Sequence, residues 1–342
     1  MGKDSKWQCR ALIILCAVLA LILAGLIAAT AFARYYLGLI GRYDENDDTL
    51  SPDHVATMTD PADFPDPNFS GPSLDPTDIS LPNSQGTPIP GEEMVNILLI
   101  GQDRRSGEGR QRSDAMILCS FHKTRKTITF ASFLRDTYVR IPGYRSSKMN
   151  AAYQWGGMPL LKQTLQENFG VSVDACIEVD FSGFQKLVDL AGGVDISLTG
   201  AEASHLNKLG GWKLTKGTNH LNGAQALAYA RIRAIGNDFG RTQRQRNILM
   251  ALLESTRDLS MTQMMKLMEQ ALPLLTTDMS DGDIFRYSAE LFPLLSGSST
   301  KTLQIPANGM YQDAWVDRQS VLIPDLEKNR RLLYDILVKG TG

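Results

Sequence analysis

Residues 11–33 (ALIILCAVLALILAGLIAATAFA) run for 23 positions without a charged side chain. At about 1.5 Å per residue, such a helix crosses a hydrocarbon core of about 30 Å. A cleaved secretory signal is the rival reading, because Ala31-Phe32-Ala33 has the small-x-small form of a cleavage site. Signal cores are about 7–15 residues long, so the length favours an uncleaved anchor. Leu15 ahead of Cys16 is bulkier than lipoprotein processing accepts. Lys3, Lys6 and Arg10 precede the run and favour a cytoplasmic N-terminus, while Arg34 and Arg42 follow it and weaken that bias. The expected plan is a cytoplasmic tail at 1–10, a transmembrane anchor at 11–33 and an exported C-terminal side. That is a single-pass type II protein of the cell membrane with an extracellular domain.

Beyond the anchor, the chain is sorted by charge. The formal net charge of −2 over 342 residues hides three regions. Residues 1–42 carry five basic groups and one acid. No Lys or Arg lies between Tyr43 and Asp103, whereas 44–93 hold twelve acids and 44–91 hold nine of the fifteen prolines. Such a stretch buries too little apolar surface to offset its ordering entropy. It predicts an acidic, Pro-rich extracellular linker over 34–93 that is extended and holds the domain off the membrane. Residues 94–342 carry 30 basic and 24 acidic groups, enough chain for one large domain with a slight preference for anions. Four cysteines without a CxxC pair exclude a small disulfide scaffold and, with four histidines, argue against zinc.

Within 94–342, short apolar runs at 95–100, 115–121, 127–133, 175–179, 194–197 and 301–305 predict strands. Helical spacing predicts helices over 158–168, 181–191, 223–231, 241–259, 261–275, 281–291 and 324–338. This alternation predicts an α/β fold, an α-β-α sandwich around a mixed central sheet, preceded by one transmembrane helix. Cys119 and Cys176 both fall in strands, where they either pair or remain buried thiols.

Arginine and aspartate gather at the ends of these elements. Asp103 follows a strand, Arg112 and Asp114 open the next, Arg135-Asp136 follow the third, and Arg231 and Arg233 close a helix. Asp238, Arg241 and Gln245 come next. Open α/β sheets place their ligand sites at such ends. Arg241 and Gln245 share a helix face at i,i+4. Arg231 and Arg233, at i,i+2, converge only if the helix stops near Arg231, and Gly236-Asn237 just beyond supports a break. Guanidinium forks suit phosphate oxygens, and carboxylates beside them suit Mg²⁺ (or Mn²⁺), with Asp103 and Asp114 the metal candidates. The plainer reading of any single Arg–Asp pair is a surface ion pair worth about 0–1 kcal/mol. There is no GxSxG elbow, Walker A motif or GxGxxG fingerprint. Aromatic interleaving is absent, so nucleic acid is not an expected partner.

The stretches 96–103 (NILLIGQD), 112–118 (RSDAMIL), 132–142 (SFLRDTYVRIP), 148–153 (KMNAAY), 179–194 (VDFSGFQKLVDLAGGV), 217–233 and 238–245 (DFGRTQRQ) together resemble the LytR-CpsA-Psr family of bacterial cell-wall glycopolymer transferases. The resemblance runs in the family's order across 94–342. It implies a Mg-dependent phosphotransferase that moves a glycopolymer, such as teichoic acid or capsule, from a polyprenyl-pyrophosphate carrier to peptidoglycan. It implies Mg²⁺ at Asp103 and Asp114, and pyrophosphate on Arg112, Arg135, Arg231, Arg233, Arg241 and Gln245. Asp136 joins the catalytic set and Asp238 orients the arginines. Asp103 or Asp114 is the candidate base toward the acceptor hydroxyl. Phe133-Leu134 stands where the family usually has Ile-Pro, which predicts a looser approach to Arg135. Leu-, Phe- and Met-rich helices at 158–168, 181–191 and 246–275 offer walls for a prenyl chain, or simply core. The alternatives are a non-catalytic lipid-pyrophosphate-binding protein and a membrane-bound regulator of envelope gene expression. The latter would need a cytoplasmic DNA-contacting module, for which ten residues are too few.

Overall fold

The computed structural model describes residues 31–44, 73–79, 81, 88–91, 93–102, 110–256, 259–295, 297–317 and 319–341. Residues 11–30 of the expected anchor lie outside these, and its last three are helical, in a stretch described over 31–37. Among the described residues no helix is long and apolar enough to cross a membrane.

In chain order come β1 (Gly41–Arg42), β2 (Met94–Gln102), β3 (Ser113–His122), β4 (Thr127–Phe133), β5 (Tyr138–Val139), β6 (Ser147–Lys148) and α1 (Met149–Phe169). They are followed by β7 (Ala175–Asp180), α2 (Phe181–Leu190), β8 (Val194–Leu198), α3 (Gly200–Gly210), β9 (Gly217–Leu221) and α4 (Gly223–Ala230). The chain closes with α5 (Asn237–Thr256), α6 (Met261–Ala271), β10 (Thr276–Thr277), α7 (Asp281–Leu295), β11 (Ser299–Ile305), β12 (Tyr311–Val316), β13 (Gln319–Pro324) and α8 (Leu326–Tyr334).

Seven strands form one sheet in the order β1-β10-β7-β2-β3-β4-β11. β2 runs parallel to β7 and β4 parallel to β11, while β3 is antiparallel to both of its neighbours. The sheet is therefore mixed, and the carboxyl ends of β2, β7, β4 and β11 share one edge. Strand periodicity sends Leu98, Ile100, Met116, Leu118, Ala131 and Phe133 to one face, packed with α1 and α8. Ile97, Ile117, Cys119, Ile128 and Phe130 line the other, under Leu249 and Leu253 of α5 and Tyr287 and Leu291 of α7. The expected three layers are present. A separate cluster, including Val188, Ile196, Leu206, Tyr229 and Ile248, joins α2, α3, α4 and α5 around the antiparallel β8–β9 pair.

Several boundaries differ from expectation. α1 begins at Met149, nine residues before the expected 158, and breaks at Gly156-Gly157. Gly157 has φ 62°, and a Cβ there would lie 1.7 Å from the Tyr43 hydroxyl, so a side chain is excluded both by conformation and by space. α3, β9 and the β12–β13 hairpin were not expected. The linker boundary at Met94 is later than the start of the fold, because Leu81 and Ile89 lie in the main core and β1 joins the sheet.

Cys119 and Cys176 are both free and buried. Cys119 opposes Ile97 and Cys176 opposes Leu98, neighbours on β2 that point to opposite faces. Two strand spacings, about 9–10 Å, also exceed the reach of a disulfide. Burial raises both thiol pKa values.

Candidate functional site

The turn after β4 builds the centre of the site. Leu134 N–H donates to the Ile305 carbonyl at 2.8 Å, and Thr137 Oγ1 donates to the Leu134 carbonyl at 2.7 Å. A proline at 134 lacks that N–H, so here the main-chain bond to β11 does the fixing, and the looseness expected from its absence is not seen. Between these anchors Arg135 and Asp136 project from the carboxyl edge of the sheet.

Arg135 meets three carboxylates: Asp114 at 3.1 Å, Asp238 at 3.3 Å and Asp136 at 3.4 Å. Asp114 also lies 3.5 Å from Arg233, Asp238 lies 2.8 Å from Arg241, and Asp136 lies 2.9 Å from Lys148. Six of the expected residues thus form one ion-pair network, joined by Lys148. Arg112 donates from Nε to Gln154 Oε1 at 3.1 Å, and Arg231 lies 4.6 Å over the Phe181 ring. α4 ends at Ala230 with Arg231 as its cap, which is the termination that lets Arg231 and Arg233 turn to one side. Gln245, one turn beyond Arg241 on α5, keeps Oε1 buried and without a hydrogen-bond partner. Asp103, which follows β2 in sequence, lies outside the described residues.

Charge is unevenly satisfied. Arg241 is 2% exposed, yet only its Nη2 bonds a carboxylate, and Nε and Nη1 are buried without partners. Burial accordingly lowers its pKa, against the pull of Asp238. Burial would likewise lower that of Arg135, but Asp136, Asp238 and Asp114 outweigh it and the value is raised. The adjacent carboxylates split. Burial, with Asp136 as a like charge, raises Asp238 despite Arg241 and Arg135. For Asp136 the upward push of burial is overcome by Lys148 and Arg135, and it is lowered.

A model of the LytR_cpsA_psr family matches residues 76–335. The chain belongs to that family. The regulatory protein MsrR of Staphylococcus aureus is 30% identical over 255 residues, 73% of this chain and 76% of that one. The Bacillus subtilis protein named polyisoprenyl-teichoic acid–peptidoglycan teichoic acid transferase TagT is 35% identical over 178 residues, 50% of this chain and 55% of that one. A solved structure of TagT with bound octaprenyl pyrophosphate lipid superposes with a TM-score of 0.57 at 26% identity, covering 76% of this chain and 99% of the other.

Within this LytR_cpsA_psr chain, three contributors were not expected. Lys148 neutralises Asp136, and Gln154 orients Arg112; both lie on or beside α1, 12 and 42 positions from their partners. Arg244 is the third. Its Nε pairs with Glu202 at 2.7 Å, and its other nitrogens donate to the carbonyls of Ile232 at 3.0 Å and Ile235 at 2.6 Å. It therefore pins the segment that carries Arg231 and Arg233.

For a divalent ion, the described donor set is small: no group of three His, Cys, Asp or Glu side chains among the described residues is arranged to hold a metal ion. Asp114 receives both of its arginine hydrogen bonds on Oδ1. Its Oδ2 suits an ion held chiefly by phosphate oxygens, the usual setting of Mg²⁺.

Proposed function

We propose that this protein transfers a glycopolymer from a polyprenyl-pyrophosphate carrier to peptidoglycan, from a single-pass type II anchor with the domain outside the cell. The observation that carries this is the buried guanidinium of Arg241, whose Nε and Nη1 have no hydrogen-bond partner, in the same ion-pair network as Arg135 and Arg233. A pyrophosphate diester supplies negative charge in a form that guanidinium forks match. The TagT name and the lipid bound in its structure agree with that chemistry.

In this reading the acceptor hydroxyl attacks the glycan-side phosphorus, the phosphoanhydride bond breaks, and the prenyl phosphate leaves with the bonding electrons. Charge develops on the leaving oxygen, where Arg231, Arg233 and Arg241 stabilise it more in the transition state than in the bound substrate. Asp114 or Asp103 takes the hydroxyl proton. Asp238 holds Arg135 and Arg241 in place. Mg²⁺ (or Mn²⁺) at Asp114 and Asp103, when bound, offsets the phosphate charge.

Arg231→Ala tests the assignment. Arg231 is exposed, so its loss should leave the fold intact. With a defined prenyl-pyrophosphate glycan, peptidoglycan oligomers and Mg²⁺, transfer should fall by about 10²-fold or more. Near-normal transfer by the variant would overturn the pyrophosphate role. Binding of the carrier with no product from the parent chain on any acceptor would favour a non-catalytic binder instead.

A further inference from the structure

The segment that leaves the apolar run does not hang free of the domain. β1 is the outer strand of the sheet, parallel to β10, with Gly41 N–H donating to the Leu275 carbonyl at 3.0 Å and Tyr43 N–H to the Thr277 carbonyl at 2.9 Å. Arg42 forms an ion pair with Asp281 in the first turn of α7 and donates to the Met279 carbonyl at 2.6 Å. Upstream, the Tyr35 hydroxyl donates to Glu269 of α6 at 2.9 Å. Tyr35 and residues 41–43 are thereby held against α6, β10 and the start of α7, and the uncharged run 11–33 ends two positions before Tyr35.

The same border also presents apolar side chains between its charged ones. Seven large hydrophobic side chains are exposed among the described residues, and four of them lie here: Phe32, Tyr35, Met268 and Phe285. Phe285, 69% exposed, stands one helical turn from Asp281 on the same face. Behind them opens a cavity of about 350 Å³ lined by Ile40, Met268, Leu272, Leu275, Ile284 and Tyr287. Exposed aromatic side chains fixed within a few residues of an apolar span suit the interfacial zone of a bilayer.

We infer that this α6–α7 border is a lipid-contacting surface, seated on the bilayer by the β1 clasp, with Phe285 and Met268 entering the interface and the cavity opening toward the acyl chains. The inference rests on the anchored reading above and adds an orientation: the domain lies edge-on against the membrane.

Quenching by brominated lipid tests it. Full-length protein carrying Phe285→Trp is placed in phosphatidylcholine–phosphatidylglycerol vesicles with or without bromine on the acyl chains. Leu209→Trp, at a 65% exposed site on α3, is the reference. Emission added by Phe285→Trp should fall about twofold on bromination, and that added by Leu209→Trp should not. Adding Gly41→Val, whose Cβ would lie 2.9 Å from the Leu275 carbonyl, should unseat β1 and restore the emission. Protein that sediments with vesicles while emission at position 285 stays unquenched overturns this inference alone. Protein that remains in the supernatant overturns the anchor and the inference together. Quenching unchanged by Gly41→Val overturns the clasp.

Discussion

Arg135 concentrates three carboxylates around one guanidinium, and those carboxylates do not titrate alike. Asp136 is held ionised by Lys148 and Arg135 despite its burial, whereas Asp238 is pushed upward by burial and by Asp136 beside it. The pair therefore keeps one firm negative charge and one that is more easily lost, the pattern that separates structural from chemically adjustable carboxylates. The sign for stability follows from the direction. Because the folded pKa of Asp136 lies below its unfolded value, its contribution is present above about pH 4 and is lost as pH falls through the lowered value. Asp136→Asn should thus be less stable than the parent at pH 7, with the gap closing in acid. Urea unfolding followed from pH 7 to pH 3 checks this, and a gap of constant size would contradict it.

At the scale of elements, α5 serves two surfaces at once. Asp238, Arg241 and Gln245 lie along its site-facing side, while Arg244 turns away to Glu202 and to the carbonyls of the preceding loop. Both partners are nearly buried, so removing one leaves an uncompensated charge. Arg244→Met should cost about 3–5 kcal/mol by denaturant unfolding, and carrier affinity should fall as Arg231 and Arg233 lose their platform. Retained carrier affinity in the folded variant would separate that loop from Arg244. Local features such as the end of α4 at Arg231 are legible in sequence, because an i,i+2 pair followed by glycine leaves few alternatives. The sheet's central strands are nearly so, whereas α5 starts at Asn237, four residues before the expected 241. α3 was missed although its start carries a local signal, the Thr199-x-x-Glu202 spacing that forms a capping box in the structure. The pairing of Glu202 with Arg244 carries none, since the two residues lie 42 positions apart and only tertiary packing joins them. Gln154, 42 positions from Arg112, escaped for the same reason. The early start of α1 was hidden by Gly156-Gly157, whose non-helical backbone kinks the helix and interrupts its periodicity.

Across the whole molecule, the core draws on segments far upstream of β2. Leu81 and Ile89 pack with Met94, Phe169 and Leu333, and Ile89 N–H donates to the Gly170 carbonyl at 2.9 Å. An exported fragment cut at 94–342 should therefore be less stable than one covering 73–342, by about 2–4 kcal/mol, given about 1.5–3 kcal/mol for each fully buried aliphatic side chain. Thermal unfolding of the two fragments measures the difference, and equal midpoints would show that the upstream segment contributes nothing. The strand order has one more consequence. β10 is only two residues long and has β1 as its outer neighbour, so this border of the sheet is closed by the chain's own upstream segment. A protease cut between that segment and the domain would uncover unpaired amides and carbonyls at β10, a template on which a second copy could lay its own strand. The two residues of β1 are thus also a guard against self-association through β10.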